Sequence, residues 1–137
     1  VNLIGALHTL DVILPLFMEK NSGHLVFAGS LVGYRGLPGA LGYGSSKAAI
    51  VNLSETLRFD LKDTGIKVQL INPGYVKTRL TDKNNFKMPQ IMSPEVAAGK
   101  MFSNMNKNNF SSSFPAPFSW LFRVSQLLPE SIYFKLF

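Results

Sequence analysis

Tyr43 and Lys47 stand four residues apart, a spacing that on a helix puts one side chain above the other on the same face. A phenol beside an ammonium is a proton-transfer pair: an unperturbed tyrosine titrates near about pH 10, and a neighbouring positive charge favours the phenolate. Taken alone the spacing is common, and a surface aromatic beside a solvated lysine is the plainer reading. The surroundings change the balance. Ser30 lies thirteen residues before Tyr43, at the end of an apolar run, where a hydroxyl can donate to a developing oxyanion. Gly42, Gly44, Ser45 and Ser46 are small, so a substrate or cofactor can come close to the chain there. Asn72-Pro73-Gly74 closes the next apolar run, with Thr78 four residues beyond Gly74.

These residues need elements to hold them. Leu3, Leu7, Leu10, Ile13, Leu14 and Phe17 recur at helical spacing and predict a helix over residues 1–20, with Pro15 as a local irregularity. His24 to Ala28 is a short, nearly continuous apolar run after a turn, the pattern of a strand buried on both faces of a parallel sheet. A glycine-rich loop follows. Ala48, Ala49, Leu53, Leu57 and Leu61 predict a second helix from Tyr43 or Gly44 to about Thr64, and Ile66 to Ile71 reads as a second strand. After a lysine-rich loop over Lys77 to Gln90, Ser93 as cap and Pro94 at the first helical position open a third helix to Asn106. Phe110 to Phe114 reads as a short strand and Phe118 to Leu128 as a helix stopped by Pro129. The alternation implies an α/β fold, a parallel sheet with helices on both faces. Two or three strands are few for it, and the first of them has no charge or proline to protect its edge, so something should pair there.

Gly29-Ser30, then Tyr43-Gly44-Ser45-Ser46-Lys47, then Asn72-Pro73-Gly74-Tyr75-Val76-Lys77-Thr78 together resemble the short-chain dehydrogenase/reductase family in order, spacing and placement, over residues 1 to about 80. The resemblance implies one Rossmann-like doubly wound domain of which the chain holds the last strands and helices only, with residues 1–80 as its catalytic portion and 81–137 as substrate loop and C-terminal region. It implies hydride transfer between NAD or NADP and a carbonyl or secondary alcohol. Tyr43 would be the general acid or base, Ser30 would hold the substrate oxygen, and Lys47 would lower the tyrosine pKa and bond the nicotinamide ribose. Asn2, in the Val-Asn-Leu-x-Gly opening, would anchor a water-borne proton relay to Lys47. Tyr43, Lys47, Pro73, Gly74, Val76 and Thr78 would face the cofactor, the last four cupping the nicotinamide.

The family's glycine-rich turn for the pyrophosphate does not occur in these residues, and neither does the residue that tells NAD from NADP. Gly33-Tyr34-Arg35-Gly36-Leu37-Pro38-Gly39 lies between Ser30 and Tyr43 and reads as catalytic loop instead. A second reading follows: a non-catalytic remnant or a subunit-assembly module, since the first two helices resemble those that pair subunits in family members. That resemblance also implies a homo-oligomer.

Composition narrows the classes further. Charged residues are 16% of the 137, against about 25% in a typical domain, which implies surface covered by further chain or by a partner. The sequence opens on Val1 directly into an apolar pattern, with the expectation that the natural N-terminus lies elsewhere. There is no cysteine and only His8 and His24, so no metal site is expected. The net charge of +6 is spread singly, without the basic stripe and stacking aromatics of a nucleic-acid binder. The longest uncharged run, Asn108 to Phe122, is too short and too broken to span a bilayer, and without a secretory pattern the expectation is a cytoplasmic protein. Half of the sixteen aromatics lie in Phe110 to Phe137. This tail reads first as a lid or subunit contact, and second as an apolar patch on a membrane surface; it also hints at a hydrophobic substrate.

Overall fold

The computed structural model describes residues 2–79, 81–83 and 85–136, with Lys83 described through its backbone alone. Val1, Leu80, Asn84 and Phe137, which the sequence reading puts in the first helix, the loop and the tail, lie outside the described residues. The chain runs α1 (Asn2–Lys20), β1 (Gly23–Ala28), a 3-10 turn (Leu31–Gly33), α2 (Leu41–Asp60), β2 (Ile66–Pro73), a second 3-10 turn (Thr81–Lys83), α3 (Pro94–Met105), β3 (Ser111–Phe114), α4 (Phe118–Ser125) and α5 (Glu130–Leu136). The three strands form one parallel sheet in the order β1-β2-β3, with Ala28 opposite Ile71 and Pro73 opposite Phe114. Parallel pairing brings the carboxyl ends of all three strands to one edge, where such sheets present their sites.

β2 is central and almost wholly buried, with Val68, Leu70 and Ile71 each only 1% exposed. Burying a side chain of this size stabilises by about 1.5 to 3 kcal/mol. On one face Leu25, Phe27, Val68 and Leu70 pack with Ile50 and Leu57 of α2 and with the inner stripe of α1, Leu3, Leu10, Ile13 and Phe17 among it. On the other, Ile71 and Phe114 meet Ala97 of α3 and Met92. Helices on both faces of a small parallel sheet make this a partial doubly wound fold, as expected. β1 lies at an edge of the sheet. The outward side of α1, beside it, shows Ile4, Val12, Leu16 and Met18 to solvent. By length and composition α1 is long and apolar enough to cross a membrane, a possibility that the uncharged-run criterion passed over; in this fold its inner stripe packs on the sheet.

The polar residues of β2 do not face water. Gln69, 1% exposed, shares its amide protons among the carbonyls of Asn104, Lys107 and Asn109 at 2.7 to 3.3 Å, while its oxygen meets Nε2 of His24 at 2.8 Å. Lys67 Nζ donates to the carbonyls of Met105 and Lys107 at 3.1 and 2.7 Å. Together they satisfy the carbonyls orphaned where α3 ends, and the ammonium complements the negative end of that helix. Ser93 caps the other end, its Oγ accepting from the Val96 N–H at 3.3 Å.

Some boundaries differ from the sequence reading. α2 begins at Leu41, before Tyr43, because Ala40 caps it without a side-chain bond and so gives no signal. α4 ends at Ser125, and a separate α5 follows Pro129. The two 3-10 turns are too short for a period to show in the sequence. The lysine-rich loop is tied to the sheet side by a bridge between Val76 and Met92.

Candidate active site

Ser30 follows the carboxyl end of β1. Its backbone is extended and it caps the 3-10 turn Leu31–Gly33, Oγ accepting from the Val32 N–H at 3.4 Å. The side chain is buried. Accepting in this way leaves the hydroxyl proton free for donation to an oxyanion. The turn lies directly on α2: a Cβ at Gly33 would stand 2.9 Å from the carbonyl oxygen of Lys47 and 3.2 Å from Val51. Only a residue without a side chain permits this approach, and it fixes Ser30 against the helix that carries Tyr43 and Lys47.

Tyr43 and Lys47 occupy the first turns of α2, and Lys47 Nζ lies 5.7 Å from the centre of the Tyr43 ring. Tyr43 is half exposed, at 52%. Lys47 is half-buried and donates to the carbonyl of Ala28, at the end of β1, at 2.8 Å. Burial holds its ammonium below the usual lysine range, since removing the charge from water favours the neutral amine. The strand end, the 3-10 turn and the helix start therefore meet at one lysine. Asn2 donates from its amide to Ser46 Oγ at 3.2 Å, and Ser46 in turn donates to the Tyr43 carbonyl at 2.8 Å. Asn2 and Lys47 line a common cleft of about 300 Å³, with Ala6, Thr9 and Ala28 also on its wall.

The second segment leaves the carboxyl end of β2. The Gly74 N–H donates to the Phe114 carbonyl at 2.7 Å, extending the ladder by one bond. In the bridge to Met92, the Lys77 N–H donates to Met92 and the Met92 N–H to Tyr75, at 2.8 and 2.9 Å. That pattern turns the N–H and C=O of Val76 away from Met92; the carbonyl accepts from Thr81 Oγ1 at 3.0 Å. Thr78 pairs with Thr81, its N–H donating to Thr81 Oγ1 at 2.7 Å. Pro73 to Val76 are half-buried, and Thr78 is exposed.

Asn72 and Tyr34, to which the sequence assigns no individual role, meet in the structure. Asn72 is fully buried, and its amide donates to the Tyr34 hydroxyl at 3.0 Å, which lies 2.6 Å from Ser113 Oγ. Its side-chain oxygen faces Gly29, where a Cβ would come within 2.0 Å of it. Gly29 before Ser30 is thus required by Asn72 on the neighbouring strand. Burial pushes the Tyr34 phenol up, but hydrogen bonds with Ser113, Arg123 and Ser111 and the charge of Arg123 outweigh it and hold the group below the usual tyrosine range. Tyr75 is moved the other way, up, by burial. Nothing in sequence spacing points to the Tyr34 network, because its members come from residues 34, 72, 111, 113 and 123.

The model of a family described as short chain dehydrogenase matches residues 1–89. An uncharacterized oxidoreductase of Myxococcus xanthus is 39% identical over 132 residues, which cover 96% of this chain and 52% of the relative. A second, from Mycobacterium tuberculosis, is 37% identical over 61% of this chain and 33% of its own length. The chain thus spans about half of the first relative and a third of the second. Among solved structures, a short-chain dehydrogenase from Burkholderia cenocepacia in complex with NADP superposes with a TM-score of 0.81 at 19% identity, over 96% of this chain and 55% of that one. A short-chain dehydrogenase/reductase from Burkholderia phymatum in complex with NAD gives 0.78 at 21% identity, over 93% and 55%. At these identities the structures speak for the fold.

Proposed function

Because the chain belongs to the short-chain dehydrogenase family, an oxidoreductase family, we propose that the whole protein transfers a hydride between NAD or NADP and a carbonyl or secondary alcohol, with Tyr43 as general acid or base. The observation that carries this reading is the packing of the Ser30 turn, through Gly33, onto the backbone of Lys47, one helical turn from Tyr43. It supports a reading in which Ser30 as oxyanion donor, Tyr43 as proton-transfer phenol and Lys47 as cation act together at the edge where parallel strands end.

The residues present fit the nicotinamide end of a dinucleotide. The Val76 N–H is turned away from the Met92 bridge, Pro73 and Gly74 form a half-buried wall, and the partly desolvated Lys47 ammonium has further donors beyond the one given to Ala28. We assign Lys47 to the ribose, and Pro73, Gly74, Val76 and Thr78 to the nicotinamide face. When bound, the nicotinamide supplies or accepts the hydride. In the reducing direction Ser30 donates to the carbonyl oxygen as negative charge develops, and Tyr43 gives that oxygen its proton; oxidation reverses both. Lys47 stabilises the phenolate left behind. Asn2 reaches Lys47 by way of their shared cleft, with Ser46 as its direct partner.

The test is turnover of a carbonyl panel by the purified full-length protein with NADH and NADPH. Tyr43→Phe is expected to lower kcat by on the order of a thousandfold while the protein stays folded. Full turnover by that variant would overturn the mechanism.

A further inference from the structure

The loop between Ser30 and Tyr43 is held at three successive residues by the far end of the chain. Arg35 donates through Nη1 to the carbonyl of Ser125, the last residue of α4, and to that of Leu128 at 2.7 Å. The same guanidinium lies 3.9 Å over the ring of Tyr133 in α5. Tyr133, 2% exposed, donates from its hydroxyl to the Gly36 carbonyl, and Gln126 donates to the Tyr34 carbonyl at 3.4 Å. A planar cation that satisfies the carbonyl at the end of α4 and another in the turn after it, and stacks on a ring, is a task for arginine, which lysine does only in part. The other end of α4 meets the second segment of the site: the Phe118 ring lies 5.6 Å from that of Tyr75, next to Gly74, and the Gln90 side chain bonds the Phe118 N–H at 3.3 Å.

From this geometry we infer that α4 is a strut between the Ser30–Tyr43 loop and the Pro73–Thr78 segment, and that Arg35 is the positioning residue that locks the loop to it. The inference rests on the function proposed above. Proton transfer and hydride transfer act on neighbouring atoms of one substrate, so the spacing between these two segments sets how well both can occur together. Arg35 touches neither substrate nor cofactor; it acts through the loop.

The experiment uses the full-length protein. With the substrate found in the carbonyl panel, Arg35→Ala is expected to lower kcat tenfold to a hundredfold, the scale of an ångström-sized misplacement. The nucleotide dissociation constant should change less than about threefold, which is about 0.6 kcal/mol. Arg35→Lys should recover part of the loss, and Tyr133→Phe, which removes one bond, should show a smaller fall. A purely structural role would lower the melting temperature of all three and leave kcat of the folded fraction unchanged. Hydrogen exchange gives a readout free of activity: amides of residues 34–42 should exchange faster in Arg35→Lys and Tyr133→Phe, with β1 and β2 still protected. Wild-type kcat in these variants, or unchanged exchange in the loop, overturns the inference. Failure of the functional reading shows differently, as a wild-type protein without turnover or a Tyr43→Phe variant without defect.

Discussion

Burial around the Tyr34 hydroxyl favours its neutral form, yet the bonds from Ser113, Arg123 and Ser111 and the Arg123 charge favour the phenolate more. A folded-state pKa below the unfolded value has a definite sign in the stability. Below the folded pKa both states are protonated and Tyr34 contributes nothing; above the ordinary tyrosine value its contribution is complete, and it is lost as pH falls through the lowered value. Tyrosinate absorbance in the wild-type protein should therefore show an early alkaline step that Tyr34→Phe removes and Arg123→Gln moves upward. Wild-type protein should also gain stability over Tyr34→Phe in that alkaline window. An unaltered titration in Tyr34→Phe would count against the assignment. Ser30, Tyr43 and Lys47 were legible in the sequence because local spacing and strand ends mark them. Tyr34 and Arg35 were not, because the hydrogen-bond partners of their side chains lie 38 to 93 residues away.

At the scale of elements, β2 carries more than its own burial. Gln69 sits with no solvent exposure to speak of, between His24 of β1 and three carbonyls at the end of α3. Gln69→Leu keeps the volume and strands these groups, so it should cost on the order of 2 to 3 kcal/mol, read as a lower denaturant midpoint with an unchanged slope. A shift under about 0.5 kcal/mol, the range of ordinary surface changes, would show that water replaces the amide. Periodicity located α1, α2, α3 and the first two strands to within a few residues, since each buries one face or both. Ile66 to Ile71 reads as a strand and is one, but its sequence does not tell that Lys67 and Gln69 bond carbonyls at and just beyond the end of α3, a demand that no strand period records. The sequence marks a helix from Phe118 that Pro129 stops, but not the seven-residue α5 beyond it, which is too short for a period to show.

Among the described residues the sheet has two edge strands, β1 and β3, and β1 lies beside a helix whose outer face is apolar. Lys47 and Pro73 to Thr78 are the residues proposed above for the nicotinamide end of a site, and no glycine-rich strand-to-helix turn for a pyrophosphate occurs in the 137 residues. The 137-residue chain by itself should therefore raise NADPH fluorescence only at concentrations on the order of a hundredfold above those that saturate the full-length protein, a difference of about 2.7 kcal/mol. Equal affinity would mean that these residues hold the whole dinucleotide.

The bond from Tyr133 to Gly36 spans 97 positions of sequence, and a ribosome releases those positions in order. Ser30, Tyr43 and Lys47 leave the exit tunnel well before Tyr133, with β1 and β2 able to pair in the interval, while the loop between Ser30 and Tyr43 waits for α5. A premature stop after α3 would then leave a polypeptide with β1 and β2 paired, β3 missing and the loop between Ser30 and Tyr43 unset. Synthesis as far as α5 is then needed to set this loop, so the proposed activity would also report that α5 had been made and folded.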